Sequence, residues 1–350
     1  MRRLIYIFII GLLLCSYTWA DGSRYASKSL LSEGKWVKIR VDKTGIYKLS
    51  YADLKNMGFS DPSKVSVHGY GGWPLDEDFS KEYIDDVPST PVWRGSDYLL
   101  FYGKGPVKWE YDSSSQTFVH TNNPYSLYGY YFVTDATPTN DMTSVAQASG
   151  ASTRITTYDD YLLHEQELVS VNQSGREFFG EDFSGARPRT ISTFSSIPGI
   201  TDADGKVTMR FISRINSGSG TASLSINDSE LLDITIPSIQ TVSSNVRSYT
   251  KAIPGTTTAL WKGSKSEENN VVVSYSSSGH TNVRLDYIRM QFVRTLRPYG
   301  ACTFFRSLTS VGNASRFVIS EANSNTLVFD VTDALNVKRV EADLNGSELS

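Results

Sequence analysis

Apolar and polar residues alternate with a period of two over much of this chain. Val37, Ile39 and Val41 are separated by Lys38 and Arg40, so one face is apolar and the other wet, as in a half-buried strand. Lys43-Thr44-Gly45 can turn the chain, and Ile46, Tyr47, Lys48 and Leu49 are expected to return as the partner strand. Ser50 followed by Asp53 is close to a capping box and predicts a short helix. Leu54 and Met57 would face inward, and Gly58 suits the left-handed residue that ends it. Segments 98–102 and 128–133 read as further strands.

Residues 135–152 are rich in Thr, Ser, Ala and Asn and include Pro138, the composition of a linker. Beyond it, Tyr158, Tyr161, Leu162, Leu168 and Val169 fall near helical spacing, although an extended segment fits as well. Alternation then resumes. Val207, Met209 and Phe211 oppose Thr208 and Arg210, Gly218-Ser219-Gly220 can turn the chain, and Ala222, Leu224 and Ile226 continue the pattern. Residues 271–275 form another such run. Val283, Leu285 and Tyr287 alternate, but Ile288, Met290 and Phe292 continue in the opposite phase, which predicts a bulge near Tyr287-Ile288. Strands so arranged imply a β-sandwich, jelly-roll-like.

The expected fold class is therefore mainly β with few short helices. The expected order is a leader (1–20), a β-rich N-terminal domain (21–140), a linker (141–155), a β-sandwich domain (156–300) and strands (301–350) leading into a missing C-terminal domain. That last expectation comes from Asn345-Gly346, the strongest two-residue hairpin signal, which follows a strand-like stretch at 338–344. Only residues 347–350 remain for the returning arm, and an autonomous domain avoids a half-paired edge.

Composition sharpens the picture at the N-terminus. Arg2 and Arg3 precede an almost wholly apolar run over residues 4–14, and Thr18-Trp19-Ala20 offers a small-x-small exit, the parts of a secretory signal. Cleavage is expected between Ala20 and Asp21, because a run this short falls below the roughly 20 apolar residues of a membrane span. The alternative of a lipidated Cys15 meets a bulky Leu14 where a small residue would stand. Loss of the leader removes Arg2 and Arg3 and takes the net charge of −3 to −5. With basic residues scattered singly, nucleic-acid binding has little support. Of the two cysteines, only Cys302 would remain, so no internal disulfide can form.

Candidate chemistry is sparse. A thiol nucleophile needs a nearby His. Cys302 stands in Ala301-Cys302-Thr303-Phe304-Phe305, which reads as a strand with an inert core thiol, and His68, His120, His164 and His280 are the available bases. His164-Glu165 starts like a zinc-protease motif, but Leu168 stands where the second His is needed, so His164 is expected to make a local hydrogen bond. Gly69-Tyr70-Gly71-Gly72 runs into Pro74 and reads as a turn, not a phosphate cradle. Trp73, Trp93, Trp109, Tyr111 and Tyr125 could stack on sugar rings. In a chain with 12% aromatics, the core is the commoner place for them. No catalytic, cofactor or metal residue is assigned.

Several segments together resemble one family. They are residues 38–49, Phe101-Tyr102-Gly103-Lys104-Gly105-Pro106, Asn122-Asn123-Pro124-Tyr125-Ser126 with residues 128–132, His164-Glu165, residues 174–181, Leu285-Asp286-Tyr287-Ile288 and Phe329-Asp330-Val331-Thr332-Asp333. In order and number they are similar to the N-terminal region of the type IX secretion sortases of Bacteroidetes, which are gingipain-like cysteine peptidases. The resemblance implies an outer-membrane or cell-surface enzyme that removes C-terminal secretion signals from cargo and attaches the cargo to lipopolysaccharide. It implies cargo proteins and outer-membrane secretion components as partners, and no small-molecule cofactor. The catalytic His and Cys of that family lie C-terminal to the matched region, so the fragment itself is expected to be inactive. In this setting residues 174–181 read as structural, with Arg176 expected to pair with Glu177 or Glu181. The alternative is a stand-alone exported β-sandwich, an adhesin or carbohydrate-binding module.

Overall fold

The computed structural model describes residues 25–350 except 79, 82, 83, 148, 149, 152, 172–174, 216, 240–251 and 278–280. The leader, with Ala20 and Asp21, and His280 therefore lie outside the described residues. The chain divides into two compact units. The first comprises Met1–Pro106, Leu127–Thr143 and Asp330–Lys338; the second comprises Val107–Ser126, Ser144–Phe329 and Arg339–Ser350.

The first stretch of chain carries strands β1 (Val37–Val41), β2 (Gly45–Ser50), β3 (Ser66–His68), β4 (Ser89–Thr90), β5 (Val92–Arg94), β6 (Tyr98–Gly103), β7 (Val107–Asp112), β8 (Thr117–Asn122) and β9 (Gly129–Thr134). In the first unit these form two antiparallel sheets, ordered β1-β9-β3-β4 and β2-β6-β5. The residues of 37–41 alternate as their pattern predicts, but β2 is not the partner of β1. The short turn at Lys43-Thr44-Gly45 carries the chain from one sheet to the other, because β1 pairs with β9 and β2 with β6. That crossing lets both sheets bury their apolar faces in one cluster, with Val41, Leu54, Phe59, Val67, Leu99, Phe101, Tyr131 and Val133 sealed from solvent.

Helix α1 (Tyr51–Asn56) is capped as expected: the Ser50 hydroxyl accepts from the Asp53 N–H, and Gly58 has φ +88°. Leu54 is its buried residue. The Gly-rich turn packs by close backbone approach. A Cβ on Gly129 would come within 2.2 Å of the Lys104 carbonyl and 2.8 Å of the Gly72 nitrogen, so no side chain fits there. The Tyr131 hydroxyl closes this corner by accepting from the Lys104 N–H at 2.8 Å.

The rest of the chain supplies β10 (Ser144–Val145), β11 (Thr153–Ile155), β12 (Thr157–Glu165), β13 (Arg189–Thr190), β14 (Gly205–Ile215), β15 (Ser219–Ile226), β16 (Ser229–Pro237), β17 (Ile253–Trp261), β18 (Val271–Ser277) and β19 (Thr281–Thr295). Five short strands follow: β20 (Ser315–Phe317), β21 (Val328–Asp330), β22 (Lys338–Val340), β23 (Leu344–Asn345) and β24 (Glu348–Leu349). The body of the second unit is a sandwich of two four-stranded antiparallel sheets, β12-β19-β14-β17 and β13-β18-β15-β16. Its core holds Val207, Met209, Phe211, Ala222, Leu224, Ile226, Val273, Leu285, Ile288, Met290 and Phe292, the inward residues that the alternation marks. The mainly β fold is thus as the pattern predicts.

Three local expectations are decided by the structure. The segment from Tyr158 takes the extended alternative: β12 pairs residue for residue with β19, from Thr157 with Thr295 to Glu165 with Tyr287. The aromatics there sit at helical spacing only because strand β12 is covered on both faces. Residues 301–305 are not a strand, and Cys302 is exposed rather than in the core. The third concerns the Asn345-Gly346 turn, whose returning arm is not left half-paired. Leu344 pairs with Leu349 and Asn345 with Glu348, and Leu349 bridges on its other side to Ile319. Leu349 also joins a small cluster with Tyr158, Leu296, Ile319 and Ala322.

The predicted bulge exists, one residue earlier. Arg210 pairs with Tyr287 and the next residue, Phe211, with Leu285, which leaves Asp286 as the extra residue of β19. Leu285 and Ile288 are both sealed in the core, so the slip lets apolar residues on either side of Asp286 face inward.

Candidate functional site

The outer face of the β12-β19-β14 sheet is not wet. The β7–β8 hairpin, whose two strands pair from Val107 with Asn122 to Asp112 with Thr117, covers it. Trp109 stacks on Tyr161 with ring centroids 3.9 Å apart, Phe118 leans on the same ring at 5.2 Å, and His120 meets the Tyr287 ring edge-on at 4.7 Å. Gln291 accepts from the Phe118 N–H, and the Lys206 ammonium donates to the carbonyls of Ser115 and Gln116 at the hairpin tip. This explains why Thr208, on the polar side of β14, is nevertheless buried. The hairpin could have been found in the sequence: Val107, Trp109 and Tyr111 alternate with Lys108 and Glu110, and Asp112-Ser113-Ser114-Ser115 is a turn composition.

At the open end of the hairpin lies a group of ionisable side chains. Strand β8 contributes His120 and Asn122, β12 and the residues after it Glu165 and Glu167, the segment between β12 and β13 Glu177, β14 Arg210, and β19 Asp286. His120 Nε2 sits 3.2 Å from Glu165 Oε2, with both side chains nine-tenths buried or more. The Asn122 amide donates to Glu165 at 2.7 Å and to Glu167 at 3.2 Å. Arg210 donates to Asp286 and, at 3.4 Å, to Glu177. The bulge is what turns the Asp286 carboxylate onto Arg210. Burial pushes the Asp286 carboxyl up to about 6, although Arg210 opposes the shift. Burial and the neighbouring Glu165 push Glu167 up to about 7.

A second pair lies nearby on the same sheet. His164 hydrogen-bonds the Thr193 hydroxyl at 2.8 Å and Glu181 Oε1 at 2.7 Å, the local bonding expected of it. Burial raises the Glu181 carboxyl, but the His164 hydrogen bond and Glu181's own backbone N–H together bring it below the ordinary carboxylate value. Glu177 bonds Arg210, and Glu181 bonds His164. In the first unit His68 bonds Ser66 and Thr137 in a buried network. Each described histidine therefore has a structural partner, and the Cys302 thiol is exposed. Among the described residues, no group of His, Cys, Asp and Glu could hold a metal ion.

The five aromatics are divided between the two units. Trp73 and Trp93 belong to the first unit, where Trp73 lies against the Lys104 ammonium and Trp93 against Tyr98. Trp109 is stacked on Tyr161, while Tyr111 and Tyr125 are exposed.

No protein-family model matches the sequence, and neither does any curated protein. Among solved structures, dimeric latent PorU from Porphyromonas gingivalis matches over 93% of this chain at 33% identity and a TM-score of 0.81. The chain is PorU-like. It covers 31% of the length of PorU, so the likeness concerns one part of that protein. A CBM35 module from Cellvibrio japonicus Abf62 matches 39% of the chain at 15% identity with a TM-score of 0.24, a value that carries no argument. The likeness to PorU sets the fold of both units beside a known example.

Proposed function

We propose that this chain is the non-catalytic N-terminal part of a type IX secretion sortase, exported to the cell surface, where it supports a gingipain-like peptidase domain. The single observation that carries this reading is the match to PorU over 93% of the chain at 33% identity. The whole enzyme would remove C-terminal signals from cargo and attach the cargo to lipopolysaccharide, with outer-membrane secretion components as its neighbours. The adhesin or sugar-binding alternative has no support from the likeness to a carbohydrate-binding module, which is too slight to use.

The test is a genomic deletion of codons 21–350 in the source bacterium, read as cargo processing. Retention of uncleaved C-terminal signals and loss of cargo from the surface are expected. Normal cargo maturation in the deletion strain would overturn the proposal. A purified chain should release nothing from a peptide that carries such a signal.

A further inference from the structure

The cluster at the open end of the β7–β8 hairpin is rich in carboxylates. Glu165, Glu167, Glu177 and Asp286 gather there with the Arg210 guanidinium and the His120 imidazole. Of the other arginines of β19, Arg289 lies over the Tyr287 ring, Arg284 donates to the Gly180 carbonyl and Asp182, and Arg294 donates to Asp160. A single Asn122 amide is shared between Glu165 and Glu167, so two carboxylates converge on one donor. With both ionised, they repel across that donor in a partly water-free site. A proton bound to one of them relieves that repulsion.

We infer that docking of the β7–β8 hairpin on the sandwich is proton-dependent, tight in mildly acid solution and looser near and above neutrality, through Glu167 and Asp286 beneath β8. Every hairpin group in the cluster comes from two residues of β8, His120 and Asn122, so lifting the hairpin exposes the carboxylates to water and removes their shared donor. The aromatic stack of Trp109 and Phe118 on Tyr161 carries no charge and sets a pH-independent floor to the docking. The sign follows from linkage. Glu167 is raised to about 7 and Asp286 to about 6 in the closed state, above their ordinary values of 4.5 and 3.8. The stability they lend the closed state is full in acid and declines as pH rises, levelling off above about pH 7.

The experiment is hydrogen exchange of the full chain from pH 5 to 8, followed by mass spectrometry and corrected for intrinsic exchange rates. Because Glu167 is reached by solvent, an effective shift of about one unit, and so about a tenfold rise in the hairpin opening constant, is expected. The rise should be confined to residues 107–122 and absent from β15 and β18. Glu167→Gln, which mimics the protonated acid, should keep the hairpin near its acid-state opening at pH 8. Asp286→Asn should remove a further share of the rise. A hairpin opening constant that stays flat with pH, a rise shared equally by β15 and β18, or a full rise retained in Glu167→Gln overturns the inference.

Discussion

Replacing Arg210 by Met removes the one guanidinium that faces Asp286. The Asp286 side chain is 5% exposed and that of Arg210 24%, so the pair is largely out of water. Breaking a buried pair by removing one partner costs about 3–5 kcal/mol, because the other charge stays behind. Arg210 keeps some contact with solvent, which lowers the expected cost to about 2–3 kcal/mol at pH 8. The cost must depend on pH. Burial already raises Asp286 to about 6, and Arg210 is the largest influence that opposes it. Without Arg210 the carboxyl rises further, so the variant loses stability relative to wild type as pH climbs through 6 and beyond. At pH 5 Asp286 takes its proton and the cost should fall to about 1 kcal/mol, the value of lost packing and a neutral hydrogen bond. Native-state hydrogen exchange of the β14 and β19 amides reads the sandwich alone, which matters in a chain of two units. The double variant Arg210→Met with Asp286→Leu should recover to within about 1 kcal/mol of wild type, since a hydrophobic pair of similar volume needs no counter-charge. An equal cost at pH 5 and pH 8, or a double variant as unstable as Arg210→Met, would refute the reasoning.

Other outcomes are expected at single side chains. Phe211→Ala empties a fully buried site facing Phe183 at the centre of the sandwich and should cost about 3–5 kcal/mol in the same exchange experiment. Tyr131→Phe removes the acceptor of the buried Lys104 N–H and should lower the stability of the first unit by about 1–2 kcal/mol, measured by urea unfolding. Burial holds the Tyr131 phenol up to about 12, so its own titration should not appear below pH 10 in an ultraviolet titration of the folded chain. Cys302, being exposed, should react with a thiol reagent without denaturant, and Cys302→Ala should change stability by less than about 0.5 kcal/mol.

Much of the fold is written in local pattern. Period-two alternation at 37–41, 207–211 and 222–226 is enough to say strand and to say which residues face the core, because a pleated chain has no other way to segregate them. Ser50, Asp53 and Gly58 define both ends of α1 through bonds made within a few residues. The phase slip between Leu285 and Ile288 announces the bulge at Asp286 for the same reason.

Pairing is another matter. Nothing in residues 37–49 says that β1 joins β9 and β2 joins β6, because the energy that separates the two sheets comes from burying both faces in one core with residues from far along the chain. The polar side of β14 and β19 reads as a wet face until the β7–β8 hairpin is laid over it. Only then do His120, Asn122, Glu165, Glu167, Arg210 and Asp286, spread over more than 160 residues of sequence, become one charge cluster. The sequence by itself determined the strands, their inward residues and the cap of helix α1, since these rest on neighbours a few residues apart. The tertiary structure alone decided which strands meet and which carboxylates lose their water, because burial depends on what the rest of the chain brings to cover them.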